Sequence, residues 1–169
     1  MIIRKSAPSM KPRVLFLCTG NVCRSPMAEG FLRVMAEEAD AEIEVASAGL
    51  VAMENMPPST NSVTAMKEDG IDISAQRSQM LTPEMVEEYT HIFGLGEGHA
   101  ETVRAYFPEA QEKTFVLREF IADEELDRDV PDPIGGDLDE YRLTRNLIKE
   151  AMLSILQFVT ADVPELGEE

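Results

Sequence analysis

The sequence predicts an α/β domain: a three-layer sandwich in which a four-stranded parallel sheet is flanked by about five helices. Three observations carry that prediction. Short apolar runs alternate with segments of helical spacing from Val14 to Thr160, no internal repeat or long linker interrupts them, and 169 residues suit one domain with one core. A hydrophobic content of 44% excludes disorder throughout. No apolar run approaches the roughly 18 residues that a membrane helix needs.

Val14-Leu15-Phe16-Leu17 is a continuous apolar run, the pattern of a strand buried on both faces. A loop from Cys18 to Arg24 follows, and then Ser25 and Pro26, suited to the N-cap and first position of a helix reaching about Ala39. Met27, Phe31, Leu32 and Met35 share its apolar side. Ile43–Ala48 reads as a second strand. Pro57-Pro58-Ser59 opens a helix that stops at Gly70 in a left-handed turn. Thr82-Pro83 starts a short helix to about Glu88, His91–Leu95 is a third strand, and a helix from about Gly98 ends at Phe107, before Pro108. Thr114–Leu117 is the fourth strand. An acidic loop runs from Glu119 to Gly136, and Asp137 with Glu140 marks the start of the last helix, striped by Tyr141, Ile148, Met152, Ile155 and Val159. Ligands of such sheets bind beyond the carboxyl ends of the strands, where the Cys18–Arg24 loop and the acidic loop both begin.

Residues 1–12 read as a flexible basic leader, 13–160 as the single domain and 161–169 as an acidic tail. Four of the 15 basic residues fall in the first 13, which leaves 11 against 32 acidic residues in the rest; the chain totals −17. A body so acidic repels phosphate backbones and anionic lipid, so neither nucleic acid nor membrane is an expected partner. Two cysteines and two histidines, without the short spacing of a zinc site, predict no metal and no other cofactor. Free thiols place the chain in the cytoplasm. His91 reads as a core or edge residue of its strand, and His99 as a capping or solvated residue at a helix start. The ten methionines read mostly as core filler.

The chemistry concentrates between Cys18 and Ser25. A tight loop between a strand and a helix turns successive backbone N–H groups inward, making a nest for an anion. Gly20 and Asn21 suit sharp curvature there, and Arg24 adds a planar fork matched to phosphate oxygens. Cys18 lies at the floor, among donors that favour its thiolate. The G-x-x-x-x-G-K-[ST] pattern of a nucleotide-binding loop is absent.

CTGNVCRSPMAEG, with its C-x5-R-S core, resembles the signature of the low-molecular-weight protein tyrosine phosphatases. The resemblance extends through Ser47-Ala48-Gly49, GIDIS at 70–74, Asp132-Pro133, Gly135-Gly136 and Tyr141, covering roughly residues 13–158. It implies a phosphoprotein phosphatase with Cys18 as nucleophile, Arg24 and the amides of Thr19, Gly20, Asn21, Val22 and Cys23 around the phosphoryl group, and Asp132 as general acid. Ser25 would support the thiolate, and Asn21 and Ser47 would brace the loop. Cys23 has two readings: by the resemblance, a partner in a reversible disulfide with Cys18 that makes the enzyme redox-sensitive, or a small packing residue.

The chain departs from eukaryotic members in lacking aromatic cleft walls: Val22, Met53 and Ile134 are the expected pocket residues. Members resembling the protein arginine phosphatases carry Thr where this chain has Val22, which favours phosphotyrosine as substrate, whereas the acidic loop favours a cationic one. Two further readings stay open: an arsenate reductase drawing on an external thiol, since no cysteine follows Cys23 for an internal relay, and a phosphate-binding module without turnover.

Overall fold

The computed structural model describes residues 11–121 and 127–161. Ten residues of the expected leader, residues 122–126 of the acidic loop and the tail from 162 lie outside the described residues. Strands β1 (Arg13–Cys18), β2 (Glu44–Gly49), β3 (His91–Gly94) and β4 (Thr114–Val116) form one parallel sheet in the order β2-β1-β3-β4. Phe16 of β1 pairs with Ser47 on one side and Phe93 on the other.

An interior strand of a parallel sheet is covered on both faces, which accounts for the unbroken run Val14–Leu17, all of it fully buried. Each such side chain stabilises the fold by roughly 1.5–3 kcal/mol. Val14 and Phe16 pack into a core with Met27, Phe31, Met66 and Ile148, drawn from α1 (Arg24–Glu38), α2 (Thr60–Glu68) and α5 (Leu138–Ala161). Leu15 and Leu17 face the other layer, meeting Val86 of α3 (Pro83–Glu88) and Val103 of α4 (Glu97–Tyr106). The three layers and, among the described residues, five α-helices match the expectation. His91 is buried and stacks on Phe93 and Phe115, a core position. Met27, Met66 and Met152 fill the core, whereas Met53, Met56 and Met80 are exposed.

Local departures have local causes. β4 stops at Val116 rather than Leu117 because the Glu119 carboxylate accepts the Val116 N–H at 2.8 Å and turns the chain into a 3₁₀ segment, Leu117–Phe120. Helix α1 begins at Arg24, ahead of the expected Ser25 cap, and Ser25 makes no capping bond. Gly70 adopts φ +77°, the left-handed stop foreseen for α2, and Glu140 N–H donates to Asp137 Oδ1 at 3.0 Å at the start of α5. The carboxyl ends of β1, β2 and β3 finish at Cys18, Gly49 and Gly94, and the candidate site gathers along that edge.

Candidate active site

A cavity of about 120 Å³ opens at the end of β1, lined by Cys18, Thr19, Gly20, Val22, Cys23, Arg24, Asp132 and Ile134. A larger groove of about 460 Å³, between the loop after β2 and α4, is lined by Leu50, Val51, Leu81, Thr102, Val103, Tyr106 and Phe107. It presents no carboxylate, imidazole, guanidinium or thiol, whereas the smaller cavity brings a thiol, a guanidinium and a carboxylate together.

Cys18 is buried, with its sulfur 2.9 Å from Ser25 Oγ and 3.2 Å from the Asn21 N–H, which donates to it. The surrounding network orients the serine. Asn21 Nδ2 donates to both Ser25 Oγ and Ser47 Oγ, each at 2.8 Å, and Asn21 Oδ1 accepts from Gln79 N–H at 3.0 Å. Having accepted from Asn21, the Ser25 hydroxyl keeps its own proton for the Cys18 sulfur, an arrangement that favours the anion. Ser47 in turn donates to Glu29 Oε1 at 3.3 Å, and Arg33 donates to Glu29 Oε2 at 3.1 Å. Burial pushes the Glu29 carboxyl above its ordinary range, against the pull of Arg33 and Ser47. The loop's left-handed bend falls on Asn21 alone, at φ 57°. Gly20, expected to share it, has no positive φ, and a Cβ there would meet only Val22 Cγ2, at 3.8 Å.

Arg24 comes from the first turn of α1 and is buried. Its Nη1 donates to the Val130 carbonyl at 3.1 Å, its Nη2 lies 3.6 Å from Asp132 Oδ2, and its Nε is buried without a hydrogen-bond partner. Asp132 is part exposed, and its Oδ1 accepts from Ile134 N–H at 3.1 Å. Gly135 (φ +79°) and a Gly136 N–H to Pro133 carbonyl bond of 2.8 Å turn the chain just beyond. Cys18, Arg24 and Asp132, more than a hundred residues apart at the extremes, thus line one cavity.

Val22 and Ile134 both line it, Ile134 while remaining 67% exposed. Met53 does not. It is 72% exposed on the loop after β2, whose backbone is tied to the buried Ser78, the Ser78 hydroxyl donating to the Met53 carbonyl and Asn55 N–H to the Ser78 carbonyl. Both cysteines are free thiols. Cys23 Sγ lies 3.5 Å from Ser59 Oγ and 3.4 Å from the Tyr141 hydroxyl, and burial together with that sulfur pushes the Tyr141 phenol up to about 12. Among the described residues no cluster of three or more His, Cys, Asp or Glu is placed to hold a metal, and no helix is long and apolar enough to cross a membrane.

A second group of residues at the site carries no local sequence signal. His99 Nε2 lies 3.2 Å from Thr19 Oγ, in the loop itself, although the two residues are 80 positions apart. Val130 N–H donates to the Leu95 carbonyl at 2.9 Å, and Glu97 N–H to Asp129 Oδ1 at 2.7 Å. The turn between β3 and α4 therefore touches both the Cys18 loop and the segment that leads to Asp132.

A sequence model described as low molecular weight phosphotyrosine protein phosphatase matches residues 13–165. A protein-arginine-phosphatase of Geobacillus stearothermophilus is 39% identical over 137 residues, covering 81% of this chain and 88% of that one. A probable low molecular weight protein-tyrosine-phosphatase of Ralstonia solanacearum is 33% identical over 153 residues, 90% and 94% of the two chains. Among solved structures, an arginine phosphatase from G. stearothermophilus superposes with a TM-score of 0.80 at 34% identity, covering 94% of this chain and 99% of its own. A low molecular weight protein tyrosine phosphatase from T. tengcongensis superposes at 0.81 and 34% identity, with 88% and 99% covered. With a sulfur, a guanidinium and a carboxylate at one sheet edge and relatives alike across most of their length, the chain belongs to the low molecular weight phosphotyrosine protein phosphatase family.

Proposed function

We propose that this protein hydrolyses phosphotyrosine in protein substrates through a phosphocysteine formed on Cys18. The observation that carries the reading is the Cys18 sulfur receiving hydrogen bonds from Ser25 Oγ and Asn21 N at the floor of a cavity that Arg24 also lines. The Cys18 thiolate attacks phosphorus, a P–S bond forms, and the P–O bond to the tyrosine breaks while Asp132 gives its proton to the departing phenolate oxygen. Water then attacks the phosphocysteine and loses a proton to Asp132, the P–S bond breaks, and inorganic phosphate leaves. Arg24 and the loop N–H groups hold the phosphoryl oxygens throughout, and Ser47 braces the loop through Asn21. The aliphatic walls Val22 and Ile134 suit an aromatic ring and offer nothing to a guanidinium. This chemistry belongs in the reducing cytoplasm, where the thiol stays free.

A second reading, phosphoarginine as substrate, is favoured by the names of relatives such as the one at 39% identity. Parallel hydrolysis of phosphotyrosine and phosphoarginine peptides separates the two. We expect the tyrosine peptide to be preferred and Val22→Thr to move the preference toward phosphoarginine; a wild-type preference for the arginine peptide would reverse the assignment. Cys18→Ser should abolish turnover. Asp132→Ala should slow phenyl phosphate by about a hundredfold but para-nitrophenyl phosphate much less, because a good leaving group needs no proton. Equal losses on both would remove Asp132 from the acid role.

A further inference from the structure

His99 sits at N3 of α4, beyond β3 in sequence from α1, yet it reaches the loop that holds Cys18. Its two ring nitrogens are both engaged, and together they fix its protonation. The Gly96 N–H donates to Nδ1 at 3.0 Å, so Nδ1 must be the unprotonated nitrogen. The ring hydrogen is then on Nε2, which faces Thr19 Oγ at 3.2 Å and donates to it. An imidazolium would set an N–H against the Gly96 N–H, and burial reinforced by Arg24 pushes the His99 pKa down to about 4. The residue is 9% exposed and works at neutral pH as a single neutral tautomer.

We propose that His99 is a positioning residue for phosphoryl binding, acting through Thr19. By donating to the Thr19 oxygen, the imidazole orients that hydroxyl and leaves its proton for an acceptor in the cavity, which Thr19 lines. The start of α4 and the turn before it also hold the segment leading to Asp132: Leu95 accepts from Val130 N–H, Asp129 accepts from Glu97 N–H, and Arg24 donates to the Val130 carbonyl. A Cβ on Gly96 would lie 3.0 Å from Asp129 Oδ1, so this contact is already close. The inference rests on the phosphatase reading for its purpose, but its geometry is that of an anion site whether or not turnover follows.

The two nitrogens separate by substitution. In His99→Asn, the amide oxygen takes the place of Nδ1 and keeps the Gly96 bond but cannot reach Thr19. In His99→Gln, the amide nitrogen takes the place of Nε2 and keeps the Thr19 bond without the cap. Inorganic phosphate, titrated into the full-length protein by calorimetry, should bind about tenfold more weakly to His99→Asn and close to wild-type strength to His99→Gln. Thr19→Val removes the same bond from the exposed side and carries no folding burden. It should match His99→Asn, and the double variant His99→Asn with Thr19→Val should be no weaker than either single one. Wild-type binding in His99→Asn, or losses that add in the double variant, would overturn the proposal. Because binding is read without turnover, a wild type that held phosphate but did not hydrolyse aryl phosphates would defeat the phosphatase reading and leave the His99 comparison standing.

Discussion

Asn21 holds the surroundings of the Cys18 sulfur together with one amide: its nitrogen serves Ser25 and Ser47, its oxygen takes Gln79, and its backbone makes the left-handed bend at φ 57°. The bend was legible because asparagine tolerates a positive φ, and the bracing with Ser47 only through the family resemblance; the Gln79 bond, 58 residues away, was not legible. His99 was not legible. Its contact with Thr19 spans 80 residues and exists only because the sheet sets β3 beside β1, a relation that no local pattern encodes. Its titration gives a test at this scale. The imidazole's pKa falls from 6.5 to about 4 in the folded chain, chiefly through burial. Between those values the unfolded chain binds a proton that the folded one refuses, so His99 contributes stability that is complete above pH 6.5 and is lost as pH falls toward 4. Urea unfolding measured across that window should show a shallower loss in His99→Gln than in wild type; identical slopes would show that another group is responsible.

The strands were readable as elements because burial on both faces leaves a plain mark, as in Val14–Leu17. Element ends were less so. Ser25 has the chemistry of an N-cap, but the sulfur three ångströms away claims its hydroxyl, and Glu119 ends β4 with a side-chain bond that hydropathy cannot register. The junction of β2 with the loop yields a prediction of its own. A Cβ on Gly49 would lie 2.6 Å from the Thr19 carbonyl oxygen, 2.8 Å from Ala52 Cβ and 3.1 Å from Asn21 N. Two of those are backbone atoms of the loop, which already accepts hydrogen bonds from Leu50 and Val51 at the Cys18 and Thr19 carbonyls. Gly49→Ala should therefore displace the loop, lowering kcat/KM by about tenfold or more, while thermal unfolding records a cost of only about 1–3 kcal/mol, as overpacking does. A large fall in Tm with full activity in the remaining folded protein would contradict this.

At the scale of the whole molecule, 32 acidic residues against 15 basic ones give a net charge of −17, which was plain from composition and bears on encounter rather than on fold. A small dianionic aryl phosphate approaches against that field, and a basic phosphopeptide approaches with it. Raising ionic strength from about 10 mM to about 150 mM shortens the Debye length from roughly 30 Å to 8 Å. Over that range kcat/KM should rise for the aryl phosphate and fall for the basic peptide, and parallel trends would show that the charge does not act on encounter. The same acidity reaches the cavity in one place. Arg24 donates to the Val130 carbonyl and stands near the Asp132 carboxylate, so the chain supplies an internal rival for the anion that we propose Arg24 holds. The affinity of an oxyanion bound there is then set by the difference between two sets of oxygens, and Asp132→Asn should tighten the hold on inorganic phosphate even as it removes the proton donor that we propose for turnover.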